Sequence, residues 1–202
     1  MTGPRPEDRP HPSDLTARFV ALVRAPGPVP LDEASTVLAA HFRAGPDGDG
    51  TDGRAVSTAL ADLAGGVGEA SLHGVVSHLA RVGWGGSPSD YGEVASSLLP
   101  EVLRRRRGLP ISLAIVAVEV GRRVGVDLHV VGMPGHVLVG DGRALADPFH
   151  QRPHLGPDEA RKLFHRMLGP DAPWDGSHLA PADGRSVVAR VLANLANRLR
   201  AD

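Results

Sequence analysis

The chain has 202 residues, 42% hydrophobic and 22% charged, with a formal net charge of −1, enough for one compact domain or two small ones and too balanced to attract nucleic acid or an anionic membrane. It contains no cysteine, which excludes disulfides, thiolate nucleophiles and cysteine-bound metals and leaves any nucleophile to be an oxygen or a nitrogen. The longest apolar run, Ile111 to Val118, falls far short of the roughly 18–20 residues of a membrane-spanning helix, and the polar opening from Met1 to Asp14 resembles no targeting peptide, so the expectation is a soluble, cytoplasmic protein.

Residues 1–12, with Pro4, Pro6, Pro10 and Pro12 and no apolar period, read as a disordered tail. Ser13 is placed to cap a first helix carrying Leu15, Phe19, Leu22 and Val23, which Pro26-Gly27-Pro28 ends. A second helix starts near Asp32 with Val37, Leu38 and Phe42 on one face, and a Gly/Asp/Pro loop follows from Ala44 to Gly53. Helical period returns through Val56, Leu60 and Leu63, then through Leu72, Val75, Val76 and Leu79. Residues 13–95 thus form a helical half, and residues 96–202 a core with C-terminal helices, the two integrated in one domain.

After a loop from Trp84 to Ala95, a short helix begins near Leu98 with Pro100 in its first turn and ends in Arg104 to Arg107. Pro110 opens a helix to about Val124 that Gly125 stops, apolar around most of its circumference and therefore buried, with Ser112 as the polar group of its first turn. The period then becomes strand-like over Leu128 to Met133, His136 to Val139 and Arg143 to Asp147, with Asp141-Gly142 marking a tight hairpin. Two helices close the chain, Asp158 to Leu168 and Val187 to Leu199, the last with Val188, Val191, Leu192, Leu195 and Leu199 on one face. The fold class is α+β, mostly helical, with a buried central helix packed on a small antiparallel sheet.

Three polar residues stand out by placement: Ser112 at a buried helix start, His136 at the start of one strand and Asp147 at the end of the next. A helix N-terminus offers backbone N–H groups and partial positive charge to an oxyanion, a histidine can take the hydroxyl proton, and a carboxylate can orient the ring. The competing reading of each is plain: a first-turn serine favours the helix start, a histidine after Pro134-Gly135 belongs to a turn, and an aspartate before Pro148 initiates one.

The blocks Arg107 to Leu113, Gly121 to Gly125, Pro134-Gly135-His136 and Asp147-Pro148-Phe149 resemble the signature blocks of the bacterial SirB-type family of the transglutaminase-like superfamily. Gly83 to Gly86 with Asp90-Tyr91, Ser97-Leu98 before Val102-Leu103, and Arg190 to Leu195 follow in the family's order, so the resemblance covers roughly Leu31 to Leu199. It implies a papain-like core with Ser112, His136 and Asp147 at the Cys, His and Asp positions. Gly86-Ser87 and Ser96-Ser97 stand where the resemblance leads one to expect Asn-containing pairs, and Arg152 stands where a glycine is usual.

Other constellations carry less. Asp47, Asp49 and Asp52 lack the spacing of a calcium loop, and His150 with His154, separated by Pro153, makes no helical zinc face, so neither metal nor cofactor is expected. Two functions remain open. One is a non-catalytic module that keeps the polar triad and binds a peptide or protein; the other is a serine-dependent acyl-transfer hydrolase. The missing thiol tips the reading toward the first, because a hydroxyl is a far weaker nucleophile.

Overall fold

A computed structural model describes residues 11–43 and 53–201. The expected tail therefore lies almost wholly outside the described residues, as does the Gly/Asp/Pro loop with Asp47, Asp49 and Asp52. The first four helices are α1 (Pro12–Arg24), α2 (Leu31–Arg43), α3 (Gly53–Gly65) and α4 (Leu72–Arg81). His11, not Ser13, caps α1: Pro12 takes the first helical position, where its missing N–H is no loss, and His11 Nδ1 accepts from Ser13 N at 3.3 Å. Ser71 caps α4 through Gly74 N at 2.9 Å. Two 3-10 turns, Pro88–Gly92 and Val94–Ser97, lead into α5 (Leu99–Arg105).

Helix α6 (Pro110–Arg123) is the centre of the molecule. Every residue from Pro110 to Ala117 is buried, as are Glu119, Val120 and Gly121, while Val118 is half-buried. Glu119 sits inside because Arg123 Nη1 and Arg122 Nη2 reach it at 2.7 and 2.9 Å, and Arg123 Nη2 continues to Asp32 on α2 at 2.7 Å. The ion pairs therefore tie the C-terminal end of α6 to the N-terminal half.

Strands β1 (His129–Val131), β2 (Leu138–Gly140), β3 (Leu145–Asp147) and β4 (Arg152–Leu155) form an antiparallel sheet in sequential order. Val130 pairs with Val139 and Val131 with Leu138, so alternate residues face opposite layers. Val130, Val139 and Ala146 join the core around α6, whereas Val131 and Leu138 pack with Leu155 and with Leu163 and Phe164 of α7 (Pro157–Leu168). The sheet is covered on both faces. Helix α8 (Gly184–Ala201) follows the 3-10 turn Gly176–Leu179 and packs Val188, Val191 and Leu195 into the main core.

The α+β class, the buried helix and the small antiparallel sheet are as expected. The strands are shorter than the period suggests, and β4 was not anticipated. Pro153 lacks a ladder donor and is tolerated there because β4 is an edge strand. Asp141 closes the β2–β3 hairpin, its Oδ1 accepting from Arg143 N and Ala144 N while Gly142 adopts φ +85°. Phe42, Leu192 and Leu199 are exposed at 38, 39 and 55%, so the buried stripes of α2 and α8 are narrower than the sequence pattern.

Candidate functional site

Ser112 is the third residue of α6, a helix whose N-cap, Leu109, offers no side-chain cap. Its hydroxyl donates to the Ser96 carbonyl at 2.9 Å, an oxygen that also accepts from Leu109 N at 2.9 Å. Ser96 Oγ donates in turn to Asp90 Oδ1 at 3.0 Å, which takes Arg107 Nε at 2.9 Å, while Asp90 Oδ2 accepts from Ser87 N at 2.7 Å. Arg107 Nη2 donates to Ser87 and Ser89 hydroxyls at 3.1 and 2.8 Å. Serines standing where the resemblance expects asparagines thus carry a continuous network from Arg107 to Ser112. Burial pushes the fully buried Asp90 carboxyl up, but the hydrogen bonds from Arg107, Ser87 N and Ser96 outweigh it, and its pKa lies below the usual carboxylate range.

His136 lies two residues before β2, not on it. Pro134 and Gly135, the latter at φ +79°, form a turn closed by His136 N donating to the Met133 carbonyl at 3.1 Å, the signature of a type II turn. From α8, Arg190 clamps that turn, donating to the carbonyls of Met133 at 3.1 Å and His136 at 3.2 Å. The His136 ring donates through Nε2 to Asp147 Oδ2 at 2.9 Å, and its Nδ1 is buried with no partner.

Asp147 ends β3 and initiates the turn into β4. Its Oδ1 accepts from Phe149 N and His150 N at 3.1 and 3.2 Å, and its Oδ2 from both His136 Nε2 and His150 Nδ1, the latter at 2.6 Å. Burial raises its pKa, but the hydrogen bonds and charge of His136 and His150 outweigh this and hold it far below the usual range. The two imidazoles stack at 5.1 Å between centroids, and Phe149 meets both edge-on. Gln151, in the left-handed region at φ +56°, sets the exit of this turn and anchors it through Nε2 to the Trp84 carbonyl at 2.8 Å.

The structure therefore joins His136 to Asp147, while Ser112 is hydrogen-bonded to neither. Ser112, His136 and Asp147 are 3, 1 and 0% exposed. Sequence reasoning misses His150 as a partner of Asp147: it weighs His150 only beside His154 and sets that pair aside, whereas His154 sits exposed on β4 and the partner of His150 lies three residues back in the same turn. The His150 side chain is 42% exposed and lines a cavity of about 310 Å³ with Gly85, Gly86, Ser87, Arg107 and Phe149. A larger cavity of about 890 Å³ lies at the other end of α6, beside Asp32, Glu119 and Arg123, away from these groups. His136, Asp147 and His150 offer donor atoms all within 4.8 Å of one another.

A family model described as the transglutaminase-like superfamily matches residues 56–193, from α3 into α8, and the chain belongs to that superfamily. The chain is similar to a UPF0162 protein of Xylella fastidiosa (strain Temecula1), 38% identical over 122 residues that cover 57% of this chain and 43% of that protein. A UPF0162 protein of Pseudomonas aeruginosa is 39% identical over 102 residues, 50% of this chain and 37% of its own length. The chain thus spans less than half the length of these relatives. A 54-residue segment is 37% identical to mouse F-box only protein 21, covering 27% of this chain and 9% of that protein. No solved structure matches. Among the described residues, no helix is long and apolar enough to cross a membrane.

Proposed function

We propose that this chain is a non-catalytic, SirB-type module of the transglutaminase-like superfamily that binds a peptide or protein segment in the groove beside His150. The observation that carries this reading is the commitment of the Ser112 proton: the hydroxyl donates to the Ser96 carbonyl from a 3% exposed position, instead of to an imidazole. A serine nucleophile needs a base within hydrogen-bond reach, and here attack requires breaking a buried hydrogen bond first. The polar triad then serves as an internal brace, and the exposed edge of the cluster, His150 over the glycine-lined cavity, is what a ligand meets.

One observation favours the hydrolase alternative. His136 Nδ1 is a buried ring nitrogen with no partner while Nε2 is held by Asp147, which is the arrangement of a ring free to accept a proton at its other nitrogen. A fluorophosphonate serine probe, read by mass spectrometry on intact protein and on the peptide holding Ser112, separates the two. The expected result is no modification. Labelling at Ser112 that disappears in His136→Ala overturns the binding-module reading.

A further inference from the structure

We propose that His136 Nε2, Asp147 Oδ2 and His150 Nδ1 form a binding site for one divalent transition-metal ion of the zinc class. This goes beyond the reading above and stands or falls independently of it.

Charge comes first. Asp147 is a carboxylate with 1% of its side chain exposed, and its ion-pair partners are the two histidines, which carry charge only when protonated. Arg107 is offset by Asp90 at 2.9 Å, and Arg190 spends its two Nη groups on the carbonyls of Met133 and His136. With neutral imidazoles, the buried negative charge is held by hydrogen bonds alone, with no fixed cation in contact, and a bound cation would supply the opposite charge.

The donor geometry agrees. The three atoms lie within 4.8 Å of one another. Two backbone N–H groups hold Oδ1, which leaves Oδ2 as a single directed ligand braced from behind, as outer-shell hydrogen bonds brace the ligands of metal sites. Two imidazoles and one carboxylate select zinc, cobalt or nickel over magnesium or calcium, which take oxygen shells. Metal–ligand bonds of about 2.0–2.1 Å place tetrahedral donors about 3.3 Å apart. The present 2.9 and 2.6 Å separations therefore need to open by less than an ångström, and the two ring nitrogens, within 4.8 Å of each other, to close by up to about 1.5 Å, which the half-exposed His150 permits. Its solvent side, at the 310 Å³ cavity, leaves room for water to complete the shell. Ligation takes the tautomer that carries the proton on the far nitrogen, Nε2 of the half-exposed His150 and the buried, unpartnered Nδ1 of His136, and no net proton is released.

The test uses the untagged full chain, stripped with a chelator and dialysed, titrated with Zn²⁺ by calorimetry and with Co²⁺ by visible absorption. The expected result is one ion per chain, a cobalt spectrum of a four-coordinate nitrogen and oxygen site, and a weakening of at least about 100-fold in His150→Ala, since even outer-shell losses cost 10–100-fold. Because the His150 side chain is 42% exposed, that variant keeps the core, and His154→Ala on β4 controls for adventitious imidazole binding. Absence of zinc binding overturns the proposal. So does binding equally strong in His150→Ala, or binding lost equally in His154→Ala.

Discussion

Gly86 shows how closely the residues around the site are fitted. A Cβ there would lie 2.0–2.1 Å from the Phe149 ring and 2.9 Å from the Gly108 carbonyl, so only glycine lets Phe149 lie against the two histidines. Gly86→Ala is expected to lower unfolding free energy by about 1–3 kcal/mol in urea denaturation and to displace Phe149, visible in the histidine ring proton shifts. At Ser112, the question is access rather than packing. If the hydroxyl is a brace, Ser112→Cys is expected to alkylate with iodoacetamide near pH 6.5 no faster than a free thiol, whose pKa is about 8.5. Fast alkylation that slows in His136→Ala would instead reveal an open, activated position.

At the scale of elements, α6 carries the fold. Ile115, 2% exposed, is expected to cost about 2–5 kcal/mol on replacement by alanine, measured by chemical denaturation. Much of this level was legible in the sequence. Pro110 and Gly125 bracket α6, Asp141-Gly142 mark the hairpin, and the apolar run from Ile111 reads directly as a buried helix. What was not legible has physical causes. Strand β4 has a proline at its second position and follows a turn held by Gln151 in a left-handed conformation, so neither alternation nor a glycine announces it. Leu192 and Leu199 share a helical face with Val188, Val191 and Leu195, yet only the last three reach the core, because periodicity defines a face and not its neighbour. His150 escaped because its partners are assembled by a turn and a hairpin, whereas the sequence offered His154 at a tempting spacing.

For the molecule as a whole, buried histidine and aspartate groups make stability depend on pH in separate ranges. Burial, and then the charge of Arg81, lower the pKa of His78 below its ordinary 6.5. The folded state therefore binds fewer protons than the unfolded one, and stability complete above pH 6.5 falls as the pH drops below it. Asp90 and Asp147, both held below their ordinary 3.8, add a second loss only at lower pH, once the unfolded carboxyls begin to protonate. Urea midpoints measured across this range should show both declines, and His78→Gln should shrink the upper one, to which His129, also lowered by burial, contributes, while leaving the lower. A single decline unaffected by His78→Gln would contradict this assignment.

The clamp from Arg190 has a consequence in time as well as in space. The guanidinium grips the His136 turn from 54 residues further along the chain. A ribosome extends the chain at about 5–20 residues per second, so the turn leaves the exit tunnel several seconds before the helix that fastens it. During that interval Ser112, His136 and Asp147 have all been synthesised, while the turn lacks its clamp and α8 has yet to cover the core. Completion of the site thus waits on α8, made 54 residues after the turn it fastens.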